Sequence, residues 1–337
     1  MARPGPRNAL TDVPGLKVGC AEDSIVVTGV TVIVPDERAV CAVDVRGGGP
    51  GTRETDALQP ENLVDAIDAL VFSGGSVYGL GAADGVVSAM GAEGKGFGLV
   101  ERGDVPKSPV VPGAILYDLA NGGAKAWGDS PPYNELARRA YVARDVDVPL
   151  GNAGAGYGAI AGGLKGGQGS ASIVGDDGET VAALACVNCW GATTMPNCHS
   201  FWAWPWEIDG EFGGARPDVH ASFDLEDWGL SKTAAHTRAN TTLCVVATDV
   251  ALTPSEAKRM AQMATAGLAR AIRPVFAPFD GDVVFALSTG KRAITGLRPF
   301  IVARLGALAA DCLARAIARG VYEAHGLDGI RGYRDPA

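Results

Sequence analysis

Nothing in the 337-residue chain approaches the roughly 18 to 20 consecutive apolar residues that a membrane helix requires. Its 47% hydrophobic content therefore points to a sizeable interior, enough for one large domain or two ordinary ones. A basic excess is missing as well: 29 Lys and Arg stand against 38 Asp and Glu, a net charge of -9. A surface built to track phosphates is not indicated, and nucleic acid is not an expected partner. The stretch from Met1 to Thr11 lacks the apolar segment of a secretory signal, so a cytoplasmic protein is expected. The seven cysteines are odd in number and mostly apolar in context, which fits reduced, buried thiols rather than a disulfide frame.

Two short patterns carry less than their letters suggest. Cys186, Cys189 and Cys198-His199 have the spacing of a zinc cluster. However, Thr180 to Asn188 reads as a strand, and its two-residue period sets Cys186 and Cys189 on opposite faces. No metal site is expected. Asn152 to Ala159 matches a dinucleotide fingerprint in letters, but no clear strand precedes it, and Asp176 and Asp177 fall in a turn. No cofactor is expected either.

What the chain has in abundance is glycine, 47 residues, about twice the usual share. The glycines cluster between apolar segments without a fixed period, which implies tight turns and close backbone approaches. Strands are expected over 24–35 and 39–45, the second feeding the glycine loop Arg46 to Gly51. A short helix is expected from Pro60 through Leu70, and another from a Ser76 cap to about Met90. A strand over 113–118, a helix over 134–142 and a hairpin of strands 170–174 and 180–188 follow. Residues 199–236 form a long loop with Trp202, Trp204, Trp206 and Trp228, a substrate mouth or a subunit contact; His220 and His236 read as surface residues within it. Thr253-Pro254-Ser255-Glu256 is a capping box opening a helix to about Ile272. Asp280-Gly281-Asp282 reads as a hairpin turn between 274–279 and 283–288, and a final helix covers 300–323. The order suggests sheets with helices outside them.

One junction suits chemistry. The polar Arg238-Ala239-Asn240 stops where an apolar, β-branched run begins, placing Thr241 at the first position of a buried strand. A hydroxyl there can attack the carbonyl just before it. Once the Asn240-Thr241 bond is broken, Thr241 has an α-amine titrating near ~8, poised to take a proton at neutral pH. The plainer reading is a threonine-rich strand start. Asn188, inside an apolar run, is either a core amide satisfying the backbone or an oxyanion donor.

Taken in chain order, the segments Leu10 to Gly19, Phe72 to Leu80, Gly154 to Gly158, Lys165-Gly166-Gly167, Val187-Asn188, Asn240-Thr241-Thr242 and Asp280-Gly281-Asp282 add up to something specific. The chain resembles the self-processing L-aminopeptidase/D-esterase family, which includes β-peptidyl aminopeptidases and nylon-oligomer (aminohexanoate-oligomer) hydrolases. The Asn-Thr junction and the Asp-Gly-Asp turn look like the nylon-oligomer branch, whereas the aminopeptidase branch has Gly-Ser at the junction. The resemblance implies an α/β (α+β) four-layer αββα sandwich of N-terminal-nucleophile type, one domain over 1–337. It also implies a cut between Asn240 and Thr241 into a long chain, 1–240, and a short chain, 241–337.

The same resemblance implies Thr241 as nucleophile, Lys165 orienting it, Asn188 and Tyr117 holding the oxyanion, and Asp280 and Asp282 anchoring the threonine amine and hydroxyl. It further implies a homo-oligomer, a tetramer of processed subunits, acting on a small peptide or amide. The expected activity is hydrolysis of amide bonds through an acyl-enzyme. The alternatives are an acyl transferase of the ornithine acetyltransferase type and a non-catalytic small-molecule binding protein on the same fold.

Overall fold

The computed structural model describes residues 2–100, 102–220, 222–232 and 240–336. His236 lies outside them. The strands are β1 (Leu16–Asp23), β2 (Thr28–Pro35), β3 (Ala39–Val45), β4 (Thr52–Arg53), β5 (Ala66–Ile67), β6 (Leu70–Ser73), β7 (Gly113–Ile115), β8 (Ile160–Ala161), β9 (Leu164–Lys165), β10 (Gly167–Val174), β11 (Thr180–Asn188), β12 (Thr241–Val250) and β13 (Val283–Arg292). The α-helices are α1 (Ala82–Ala92), α2 (Tyr133–Val142), α3 (Pro254–Ala271) and α4 (Arg298–Tyr322). One sheet has the order β1-β2-β6-β7-β4, the other β10-β11-β12-β13-β3-β5.

The two-residue period of the strands sorts the core into three layers. In β11, Val181, Ala183, Ala185 and Val187 pack against α3 and α4, while Ala182, Leu184 and Cys186 face the other sheet. In β12 the same division sends Cys244 and Val246 toward the helices and Leu243, Val245 and Ala247 inward. Beyond the first sheet, Val30, Val32 and Val71 meet α1 and α2 through Val86, Met90, Leu136 and Tyr141. The result is the expected αββα sandwich, with both sheets buried on both faces. That is why β2, β11 and β12 read as continuous apolar runs rather than alternating ones.

Several sequence expectations need correction. Residues 60–63 are turn and bend and 64–65 irregular, not helix, while 66–67 pairs with β3 and 70–73 with β2 as short strands. The apolar positions there answer a sheet neighbour, which helical spacing mimics over so short a run. The strand expected from Ser24 starts at Thr28, after a turn. Residues 274–279 form no strand, so Asp280 to Asp282 is not a hairpin turn. Instead β13 runs parallel to β12, with α3 as the crossover between them. The capping box is present: Thr253 Oγ1 accepts from the Glu256 amide at 3.3 Å and Glu256 Oε2 accepts from the Thr253 amide at 2.8 Å.

Between the sheets, Phe72 meets Phe285 with ring centroids 5.9 Å apart, and both are fully buried. Phe285→Ala should therefore cost about 3–5 kcal/mol in denaturant unfolding. A loss below ~1 kcal/mol would show that this layer does not hold the sheets together.

Candidate active site

Four strand ends meet at one edge of the six-stranded sheet. Antiparallel pairing sets Asn188, at the end of β11, opposite Thr241, at the start of β12. It also sets Gly167 opposite Val187, so Lys165 emerges beside Asn188. Parallel pairing of β12 with β13 brings the residues before Val283 to the same edge, and Asn240 and Asp280 form a bridge there. By the period of two, Thr241 shares a face with Leu243 and Val245, and Asn188 with Cys186 and Leu184: the face toward the second sheet.

Thr241 is 3% exposed. Its Oγ1 hydrogen-bonds to the carbonyl oxygen of Asn240, which also accepts from the Gly281 amide at 3.0 Å. A Cβ on Gly281 would come within 2.4 Å of Thr241 Oγ1, so glycine is required for this approach. Asp282 Oδ1 accepts from the Thr242 amide at 2.7 Å and Oδ2 from the Phe276 amide at 3.3 Å. Asp280 Oδ2 accepts from the Ala277 amide at 3.0 Å, while Oδ1 is buried with no hydrogen bond among the described residues. Burial raises both carboxyls above the usual range, and for Asp282 the neighbouring Asp280 charge adds to the effect. The glycine loop after β3 wraps this pair: the Gly49 amide donates to the Asp280 carbonyl at 2.8 Å, and a Cβ on Gly47 would meet that oxygen at 2.2 Å.

Asn188 is fully buried and held at both ends. Its Nδ2 donates to the Tyr117 carbonyl at 3.1 Å, and its Oδ1 accepts from the Ile160 amide at 2.9 Å and from Asn121 Nδ2 at 3.4 Å. Tyr117 thus meets the site through its backbone oxygen in these contacts. Lys165 Nζ donates to the carbonyls of Gly156, Ala159 and Gly166 at 3.2, 3.0 and 2.7 Å, behind the β8-β9 turn that carries Ile160. Burial lowers its pKa to about 7, opposed by the Asp118 charge. Lys165 is therefore tied to the Asn188 support, whereas Thr241, Asn240, Asp280 and Asp282 are in direct backbone or side-chain contact.

Lys232 was not singled out by the sequence. Its Nζ donates to the Asn188 carbonyl at 3.2 Å, and burial lowers its pKa to about 8 against the charges of Cys189, Asp280 and Asp282. It belongs to an irregular loop, where no period marks a residue as inward. Lys232, Asn121 and Ile160, all bonded to Asn188, line a cleft of about 380 Å³ that also takes in Ser231, Asp328 and Ile330. Part of the aromatic loop closes in nearby: Trp190 packs edge-on against Trp228 and against Phe279, the neighbour of Asp280. His220 is exposed.

A buried threonine on its own preceding carbonyl, with two carboxyls at the adjoining strand start and a cleft beside its pairing partner Asn188, suits acyl chemistry on amides. Residues 8–334 match the model of peptidase family S58. The chain belongs to that family. It is a hydrolase of peptide or amide bonds. An uncharacterized aminopeptidase of Mycobacterium tuberculosis is 42% identical over 97% of each chain. A 6-aminohexanoate-oligomer endohydrolase of Paenarthrobacter ureafaciens is 28% identical over 83% of this chain and 74% of its own length. Among solved structures, the L-aminopeptidase D-Ala-esterase/amidase of Ochrobactrum anthropi superposes with a TM-score of 0.72 at 22% identity, covering 99% of this chain and 93% of its own. That protein is described as a variant of the Ntn-hydrolase fold.

Because the Asn188 amide bridges two backbone segments, Asn188→Ala should destabilise the fold by about 1–3 kcal/mol, leaving the Ile160 amide without its acceptor. Chemical denaturation checks this. An unchanged midpoint would mean that Asn188 serves no structural purpose.

Proposed function

We propose that the chain cuts itself between Asn240 and Thr241 and then uses Thr241 as an N-terminal nucleophile on amide bonds. The observation that carries this reading is the contact between the Thr241 hydroxyl and the Asn240 carbonyl, in a site where the Gly281 N–H already polarises that carbonyl. Thr241 Oγ1 attacks the Asn240 carbonyl carbon, and its proton passes to the buried carboxylate pair. The Gly281 amide supports the oxyanion as it forms. Breakdown expels the Thr241 nitrogen, which takes up the proton, and leaves an ester between Asn240 and Oγ1. Water hydrolyses that ester. The products are the carboxylate of Asn240 and a threonine with a free amine.

The new ammonium forms one residue from the Asn240–Asp280 bridge, and Asp280 has a buried carboxyl oxygen without a donor among the described residues. In turnover the α-amine takes the hydroxyl proton while Oγ1 attacks the substrate carbonyl, giving an acyl-threonine that water releases. Two carboxylates raise the pKa of this amine and weaken it as a base; the Lys232 and Lys165 charges oppose them. Kinship with both an aminopeptidase and an aminohexanoate-oligomer endohydrolase supports peptides or linear oligoamides as substrates.

Intact-mass analysis should find chains of residues 1–240 and 241–337 in the wild type and one chain in Thr241→Ala. A wild type that stays whole after long incubation sinks the proposal. The carboxyl pKa values are raised, so the base is lost at a higher pH than an ordinary carboxylate would lose it. The cleavage rate should therefore fall as pH drops from neutral toward 5. Asp282→Asn should cut the rate about 100-fold and flatten that fall, as read by timed electrophoresis.

A further inference from the structure

The cleft beside Asn188 does not end at a wall. It ends at residues 229–232, and a second cleft of about 400 Å³ opens on their far side, lined by Leu164, Met195, His199, Leu230, Arg331 and Tyr333. The floors of the two are consecutive in sequence: Gly163 lies in the first and Leu164 in the second, as do Ile330 and Arg331. Residues 229–232 are shared between them in the same way, Ser231 and Lys232 lining the first cleft and Gly229 and Leu230 the second.

This segment is anchored at Lys232, whose Nζ donates to the Asn188 carbonyl at 3.2 Å, and open at its Leu230 end. Leu230 is 50% exposed. Its carbonyl accepts from the Gly163 amide at 2.5 Å, the Ser231 hydroxyl accepts from the Ala192 amide at 3.1 Å, and the Lys232 amide donates to the Trp190 carbonyl at 2.9 Å. The floor is shaped to receive it: a Cβ on Gly162 would come within 2.4 Å of the Leu230 carbonyl. The hydrogen bond that holds the Leu230 backbone is one that water could replace at small net cost.

We propose that residues 229–232 are a strap across one continuous substrate groove, and that Leu230 determines how long an oligoamide the enzyme accepts. With the strap down, a single-residue amide reaches the first cleft. With it lifted, an extended oligoamide runs through both. The inference rests on the amidohydrolase reading above and adds the residues that fix substrate length.

The geometry provides its own lock. A Cβ on Gly163 would lie 3.5 Å from the Leu230 Cβ, inside the roughly 3.5–4.5 Å range of disulfides, and Gly163 is not among the left-handed residues. In the processed double variant Gly163→Cys/Leu230→Cys, oxidation should lower kcat/KM for a linear six-unit oligoamide at least tenfold. Between the oxidised and reduced forms of this same variant the value for a single amino-acid p-nitroanilide should change far less than tenfold, and reduction should restore the first. Leu230→Ala, which needs no cross-link, should raise kcat/KM for the six-unit substrate several-fold. The inference is overturned if locking leaves both substrates unaffected or slows both alike, if Leu230→Ala changes nothing, or if the wild type cleaves the anilide but not the oligoamide. A wild type that cleaves neither substrate takes down the amidohydrolase reading and this inference with it.

Discussion

The site depends on the parallel pairing of β12 with β13. An antiparallel partner reached through a hairpin would have carried Asp280 and Asp282 to the far edge of the sheet. A parallel partner starts where its neighbour starts, and the α3 crossover supplies the chain length that this return requires. The entry loops of the two strands therefore lie side by side, as the Asn240–Asp280 bridge and the Gly281-to-Asn240 hydrogen bond record. The antiparallel strands on either flank then deliver Asn188 from β11 and the glycine loop from β3 to the same edge. Fixing Thr241 and the two carboxyls to strand starts, not to loop tips, gives them the rigidity of the sheet.

Burial gives that edge its chemistry. Two carboxyls and two amines have been taken out of water within a few residues of Thr241, and the resulting shifts converge: the acids move up and Lys165 and Lys232 move down toward neutrality. Groups whose pKa values lie near the working pH exchange protons most effectively. For Lys165 a second effect competes, since three carbonyls within 3.2 Å match the three N–H donors of an ammonium. Its surroundings serve the charge as a support for the β8-β9 turn, and through Ile160 they serve the position of Asn188.

The sequence made β3, β11, β12, α3 and α4 legible because each combines a sustained period with a clear boundary signal. It misled at 60–70 and 274–279, where short apolar runs between glycines and prolines fit more than one period. The parallel register of β13 was hidden for another reason: Asp-Gly-Asp is turn chemistry whatever follows it, and only the sheet reveals which strand it feeds. Thr241, Asn188, Asp280 and Asp282 were reached through family resemblance as much as through their residues. Lys232, Asn121 and the strap escaped both routes. Lys232, Asn121 and residues 229–231 sit on irregular chain, where inward and outward positions follow no repeat and a lysine looks like any surface lysine until its neighbours are known.

The glycine surplus connects these observations. Gly47 admits the Asp280 carbonyl, Gly281 admits the Thr241 hydroxyl, and Gly162 admits the Leu230 carbonyl. In each case a side chain would occupy the volume through which one piece of backbone reaches another, so the positions serve contact more than flexibility. The first two meet at the edge where Asn240 bridges Asp280, and the third lies in the cleft lined by Ile160 and Lys232, both bonded to Asn188. Loss of side chains at these positions lets main-chain groups, whose positions are set by the sheet and its hairpins, do the work of polarising, positioning and covering. Main-chain groups held this way are suited to gripping an amide backbone, because their positions are set by the sheet and do not depend on a side-chain rotamer.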